Sequence, residues 1–523
     1  MAYRTTIYRI NQKHPLYSWA DNFAHSENNM QNAVLFRLRN LCTGLQKTQE
    51  ERHPLEQQVI GEFITAYNKT KNPKWKMPTK DKWLPNLSAL DDVFKHTDNP
   101  DYYADDYTVK TAQNAIKQVL QNMNSFFKAI DDFKQHPEKY NGKPNMPKYK
   151  HKGGVSTFSI DNQEGKVELD SRGRQQLKLP RTKERLKLGR VIPAEWHLMF
   201  IKVKFDGNAY SMHLIFDDGE KAPEFSEKIE RIAAGDMGVD NLIACVNNVG
   251  GKSLIIKGGP VKSVNQWRNK EIARMQTEQT RGGEAKIQMT DEAWEIEHYR
   301  FDKIRDFFSK SAIAVRDWCV ENRIDTFVLG FNRDWKDDVV MGHKSKQTFV
   351  QIPFAQFAAT LKYVLERAGV RFIEQEESYT SRASLLDLDP IPVYGDEEPD
   401  GGWNFSGYRY SRGLYKSKNK NVFVNADLNG AGNILRKAFP WAFDEGRGLL
   451  PELCDRSRII VMKHPDLGEY EPGIKRKTAS LSKARRVARK RGFVDKCGCA
   501  MLSKLDFKFS KRSPSGIELI VIA

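Results

Sequence analysis

The spacing of apolar residues divides the 523-residue chain into segments of distinct character. Tyr3 to Ile10 alternates as a short strand, and a polar, aromatic-rich stretch to about residue 135 reads as helical, with a break between Pro73 and Pro85. In the last of these helices, positions 112, 116, 119, 123, 126, 130 and 133 form a stripe at 3.6-residue period that stops before Pro137. From 143 to 217 the period falls to two. GVSTFSI, KVELD, MFIKVKF and AYSMHLIF, separated by glycine and charged turns, predict a small antiparallel barrel.

A different pattern starts near Ile232. IAAGDMGVDNLIACVNN reads as a strand, a tight turn and a returning strand, which leaves Asp236 in the sheet and Asp240 in the turn. A long helical region follows, whose second helix sets Phe301, Ile304, Phe308, Val315 and Cys319 on one face beside Lys303, Arg305, Lys310 and Arg316. DTFVLGFNRDWK predicts a buried strand ending in Gly330. The next helix opens at Pro353, as an N1 proline, and closes at Gly369, and a new strand starts at Val370. Such a crossover makes the two strands parallel neighbours. Finally, NVFVNAD runs straight into the helix LNGAGNILRKAF.

Composition narrows the function classes. With 84 Lys plus Arg against 67 Asp plus Glu, the net charge of +17 and pI near 9.3 suit a protein that neutralises many phosphates. No apolar run approaches the roughly 20 residues that span a bilayer, and MAYRTTIYRINQKHP has no signal-peptide core, so a soluble cytoplasmic protein is expected. Six scattered cysteines, at 42, 245, 319, 454, 497 and 499, suit a reducing compartment.

Three acidic residues end apolar runs: Asp236, Glu377 in VRFIEQEESYTS, and Asp427 in NVFVNADLNGAGNIL. Alone, each is an ordinary strand-end carboxylate. Together they fit a divalent-metal nuclease, because two hard cations held about 4 Å apart across a phosphodiester need several carboxylates from separate strands.

The phrases around them resemble the TnpB family of transposon-encoded RNA-guided nucleases and the compact type V CRISPR effectors. They are GDMGVDNLIA, FVLGFNRDWK, FVQIPFAQFAATLKYVLERAGV, QEESYTSRASLLDLDPIPVYG and NADLNGAGNILRKAFP, preceded by KPNMPKYKHKGGVSTFSI. The resemblance spans roughly residues 105 to 440. It implies a multidomain α+β protein: an RNase H-like (RuvC) α/β nuclease core with a helical recognition lobe inserted in a wedge β-barrel. The implied boundaries are 1–12 and 137–229 for the wedge, 13–136 for the lobe, 230–380 and 422–440 for the core, 381–421 for a target-binding insertion, and 441–523 for a basic C-terminal extension.

The implied activity is Mg2+-dependent, RNA-guided cleavage of double-stranded DNA bearing a short flanking motif, with guide RNA and target DNA as partners in a prokaryotic cytoplasm. Asp236, Glu377 and Asp427 are the catalytic and metal residues, holding two Mg2+ for which Mn2+ substitutes. Most relatives place the glutamate at the end of the strand that here carries Gly330. A carboxylate from the neighbouring strand, about 4.8 Å away, can fill that position. Glu377 is chosen, with Glu374 and Glu376 of opposite parity as alternatives if the strand bulges.

Arg412 resembles a basic residue that contacts phosphate. Residues 381 to 421 lack the Cys-x-x-Cys pairs of the family's zinc ribbon, so no zinc is expected. Trp403, Tyr408, Arg409, Tyr410 and Lys416 interleave aromatic and basic groups there, a pattern suited to nucleic acid. Lys148, Lys150 and Lys152 are candidate RNA-backbone contacts, and so are Arg485, Arg486 and Arg489 in KRKTASLSKARRVARKR, which holds nine basic residues and no acid. Two other classes stay open: a guide-loaded DNA-binding protein with an inactive core, and a guide-independent nuclease of the same fold.

Overall fold

The structure is a computed structural model that describes residues 3–70, 75–189, 191–221, 223–280, 289–331, 351–393, 396, 399, 402–444 and 454–467. The basic run 475–491 and the C-terminal GIELIVI lie outside them. The fold is mixed α+β and divides into two compact units, 1–222 with 289–294, and 223–288 with 295–523. Among the described residues, no helix is long and apolar enough to cross a membrane.

The first unit joins helices to antiparallel sheets. The helices are α1 (Tyr17–Leu45), α2 (Pro54–Thr70), α3 (Leu87–His96) and α4 (Val109–Gln135). Thr108 caps α4 by accepting from the Thr111 amide, and the apolar stripe is buried through Met123. Its later positions, from 126 on, are only partly covered. Strands β1 (Tyr3–Asn11), β2 (Phe158–Asp161), β6 (His197–Phe205) and β7 (Ala209–Asp217) form one sheet in the order β1-β7-β6-β2. Strands β3 (Lys166–Leu169), β4 (Gln175–Lys178) and β5 (Arg185–Lys187) form another. The stretch expected to form a barrel is thus shared between two sheets, the short strands β3, β4 and β5 pairing with one another. In β6, Ile201 and Val203 are buried while Lys202 and Lys204 face outward. Trp19, Phe23, Tyr107 and Phe158 cluster in the core beneath.

The second unit is built on a six-stranded sheet. β8 (Ile232–Met237), β9 (Asn241–Asn247) and β10 (Ser253–Lys257) form an antiparallel meander. Helices α5 (Gly259–Thr280) and α6 (Asp291–Glu321) lead to β11 (Thr326–Gly330), and α7 (Phe354–Arg367) crosses to β12 (Arg371–Gln375). The sheet order is β12-β11-β8-β9-β10-β16, with β11 parallel to both β8 and β12. Apolar clusters lie on both faces, so strands such as β9 and β11 are buried at every position.

Several details differ from expectation. Pro353 is the N-cap of α7 rather than its first residue. Ile304, Phe308, Val315 and Cys319 are buried, but Phe301 is 46% exposed with the Arg305 guanidinium over its ring. The basic residues of α6 are largely neutralised, Lys310 by Asp306 and Asp466, Arg305 by Asp302 and Arg316 by Asp317.

The stretch 441–523, expected as a separate extension, supplies β16 (Ile459–Met462), which pairs in parallel with β10. RIIVM is too short an apolar run to reveal its partner by periodicity. Likewise 381–421 is not wholly an insertion: Ala383, Leu385 and Leu386 are buried in the core, and only its later part enters the small sheet of β13 (Gly407–Ser411), β14 (Leu414–Ser417) and β15 (Phe423–Asn425). Helix α8 (Ala426–Ala438) follows directly.

Candidate active site

Asp236 is the fifth residue of β8, next to the turn that starts β9. Its carboxyl group is enclosed by protein even though the residue keeps some solvent access. Helix α8 packs so closely that a Cβ on Gly430 would come 2.5 Å from Asp236 Oδ2. Burial pushes the Asp236 carboxyl well above the usual range, and the charges of Glu377 and Asp427 push it further, with Arg409 opposing.

Asp427 occupies the first turn of α8, where the helix dipole favours a carboxylate. Asn425 caps the helix by accepting from the amides of Asp427 (3.0 Å) and Leu428 (3.2 Å). The Asn241 amide donates to Asp427 Oδ2, and Lys257 Nζ donates to Asn241 Oδ1 at 2.8 Å. Arg409 reaches Asp427 Oδ1 at 3.4 Å.

Glu377 arrives by another route. β11 and β12 are in register with Gly330 opposite Gln375, and the Phe331 amide bonds to Gln375 O. The strand ends there, so Glu377 belongs to the turn beyond it, where Thr380 donates to its carbonyl through both N (3.2 Å) and Oγ1 (2.8 Å). Glu377 Oε2 lies 2.8 Å from where a Cβ on Gly330 would stand. That oxygen is sealed from solvent and has no hydrogen-bond partner. Burial pushes the Glu377 carboxyl up to about 7, with the Glu376 charge adding and Lys437 opposing. Glu376 points elsewhere, to Lys437 Nζ, so parity alone did not decide between them.

The structure therefore brings together Asp236 from the end of β8, Glu377 from the turn beyond β12 and Asp427 from the first turn of α8, close enough for their charges to act on one another. Three hard carboxylates, one with an orphaned buried oxygen, are a donor set that fits Mg2+ or Mn2+. They converge without closing into a cage: among the described residues, no group of three or more His, Cys, Asp or Glu is placed to hold a metal ion.

Arg412, the candidate phosphate contact, donates through Nε to Asp240 Oδ2 at 2.7 Å, and Lys262 bonds to the other oxygen of that carboxylate. Asp240 is thus more than a turn residue. Burial would raise its carboxyl, yet the two cations hold it below the ordinary value.

On the small sheet, Tyr408 and Tyr410 are exposed, with Arg409 between them. Lys416 lies 5.5 Å over the Phe423 ring. Trp403 packs edge-on to Tyr379 and its indole nitrogen has no partner. The lysines 148, 150 and 152 belong to the other unit. Lys148 and Lys152 are exposed, whereas Lys150 Nζ turns inward to Ser156 Oγ at 2.8 Å. Arg485, Arg486 and Arg489 lie outside the described residues.

Sequence reasoning missed Asn241, Lys257 and Lys437, which act on the carboxylates from other elements. Only the position of Asn241, just past the GDMGVD turn, hinted at a role.

Residues 220–336 match the family model OrfB_IS605, described as a probable transposase. No curated protein matches the chain. Among solved structures, it is similar to the mini-RNA-guided endonuclease CRISPR-Cas_phi3, at 9% identity and TM-score 0.39, covering 83% of this chain and 92% of that one. It is similar to a Cas12f1-sgRNA-target DNA complex at 12% identity and TM-score 0.28, covering 82% and 98%. A third is C2c1 of Alicyclobacillus acidoterrestris in complex with single-guide RNA, at 8% identity and TM-score 0.29, covering 78% and 70%. The matched stretch, residues 220–336, carries Asp236 and Gly330 and is similar to that family of probable transposases.

Proposed function

We propose that the protein is an RNA-guided DNA endonuclease whose active site is formed by Asp236, Glu377 and Asp427. The observation that carries this reading is the seating of the Glu377 carboxylate over Gly330, beside Asp236 and Asp427. The sheet topology, a three-stranded meander followed by two parallel strands, supports an RNase H-like core. Two Mg2+ ions held by the three carboxylates would supply Lewis acidity, making water a better nucleophile and neutralising charge at the leaving 3′ oxygen. Asn241 and Asn425 orient Asp427, and the protein encloses the Asp236 carboxyl and Glu377 Oε2.

The charge of +17 and the exposed Tyr408, Arg409 and Tyr410 support nucleic-acid partners, here a guide RNA and a matched double-stranded DNA with a flanking motif. The family match over 220–336 supports the same reading. The test is cleavage of a matched plasmid by the guide-loaded protein, with and without EDTA. Asp236→Ala or Asp427→Ala abolishes cutting while target binding persists.

One observation favours a second reading, a guide-loaded DNA-binding protein with an inactive core: the carboxylates do not form a closed metal cage. Target binding by the wild type without cutting at any Mg2+ or Mn2+ concentration selects it.

A further inference from the structure

One face of α8 is in contact with every part of the carboxylate site. Asp427 stands on it. Three residues on, Gly430 touches Asp236; further along, Ile434 Cδ1 is 2.4 Å from a Cβ position on Gly330. One turn beyond, Lys437 reaches the Glu377 turn. At 3.6 residues per turn these four positions share a side of the helix, spread over about 15 Å.

Lys437 is the unusual member. Its side chain is only 6% exposed. An ammonium has three protons, and here they go to Glu376 Oε2, Ser378 O at 3.1 Å and Pro392 O at 3.0 Å. The first two acceptors flank Glu377 on either side. The turn needs such support, because β12 ends at Gln375 and Tyr379 sits at φ 66°, a left-handed conformation unfavourable for a tyrosine. Glu377 Oε2 itself accepts no hydrogen bond.

We propose that Lys437 is the positioning residue of this site: by binding the Glu376 carboxylate on one side of Glu377 and the Ser378 carbonyl on the other it anchors the turn and so keeps the Glu377 carboxylate over Gly330. The inference rests on the reading of Asp236, Glu377 and Asp427 as metal ligands. Lys437 donates to Glu376, Ser378 and Pro392 and not to the three site carboxylates.

Two variants separate positioning from simple stabilisation. Lys437→Met removes all three bonds but strands the Glu376 carboxylate, which costs stability. Glu376→Gln with Lys437→Met removes that stranded charge. Mn2+ affinity is measured by calorimetry on the protein without nucleic acid, beside melting temperature in EDTA and the Mg2+ dependence of plasmid cutting. Both variants are expected to bind Mn2+ on the order of ten-fold more weakly and to need correspondingly more Mg2+. The double variant recovers melting temperature but not affinity.

If the double variant melts like the wild type and binds Mn2+ equally well, Lys437 is only an ion-pair partner and the proposal is overturned. If Glu377→Gln itself leaves Mn2+ affinity unchanged, the ligand reading fails, and the proposal with it.

Discussion

Glu377 Oε2 occupies the space that a side chain at Gly330 would need: a Cβ there would lie 2.8 Å from that oxygen and 2.4 Å from Ile434 Cδ1. The two residues are 47 positions apart in sequence but meet because β11 and β12 are parallel neighbours. Absence of a side chain at 330 and presence of a carboxylate at 377 are therefore one structural fact. Gly330→Ala should cost about 1–3 kcal/mol from overpacking and lower cleavage more than its stability loss explains. Denaturant titration and a plasmid time course measure the two, and an alanine variant that cuts at the wild-type rate would show that the space is not shared.

The three glutamates of this turn should separate cleanly. Glu377→Gln is expected to lose cleavage by orders of magnitude. Glu374→Gln should cut at close to the wild-type rate. Glu376→Gln, which keeps an acceptor for Lys437 but loses its charge, should fall between them. Should Glu376→Gln be the dead variant and Glu377→Gln normal, the ligand has been assigned to the wrong residue.

Gly430 offers a test in which local propensity and the site pull in opposite directions. Alanine in a helix interior is favoured over glycine by about 1 kcal/mol, yet its Cβ would press within 2.5 Å of Asp236 Oδ2. Gly430→Ala should abolish or severely reduce cutting in a protein that still binds guide and target. Normal activity, read in the same binding and cleavage assays, would remove α8 from the account of Asp236.

The metal-free site should be sensitive to pH. Burial raises Glu377 from an ordinary 4.5 to about 7, and Asp236 moves the same way. The folded chain then keeps protons that the unfolded chain has lost. This stabilisation is complete below about 4.5 and is lost as pH rises through about 7, on the order of 3 kcal/mol for Glu377. In EDTA the melting temperature should fall between about pH 5 and about pH 8, and fall less in Glu377→Gln. Added Mg2+ should stabilise more at the higher pH, since it takes only the ionised oxygens. An identical pH profile for the variant would count against the buried carboxyl.

Metal replacement gives a further check. EDTA should stop cleavage and Mg2+ or Mn2+ restore it, whereas a zinc-selective chelator should leave both cleavage and melting temperature unchanged. Stoichiometric tightly held zinc in the purified protein would contradict the reading of residues 381–421.

Periodicity and local chemistry made much of this chain legible in advance. The 3.6-residue stripe of α4, the alternation in β6, and the strand-helix-strand passage from Thr326 to Gln375 depend on neighbours in sequence, so they can be read there. The positions of Asp236 and Asp427 follow from the same local rules, a strand end and a strand-helix junction.

Tertiary structure alone decided the rest. Glu376 and Glu377 differ by one position beyond the end of a strand, where alternation no longer applies, and it is Lys437 and Gly330, 61 and 47 residues away, that send one outward and the other into the site. The same holds for Ile459–Met462, whose partner β10 lies some 200 residues earlier, and for Asp240, which only the approach of Lys262 and Arg412 makes a paired carboxylate. Local pattern reports which face a residue presents; which long-range group meets that face depends on packing, and packing is a property of the whole chain.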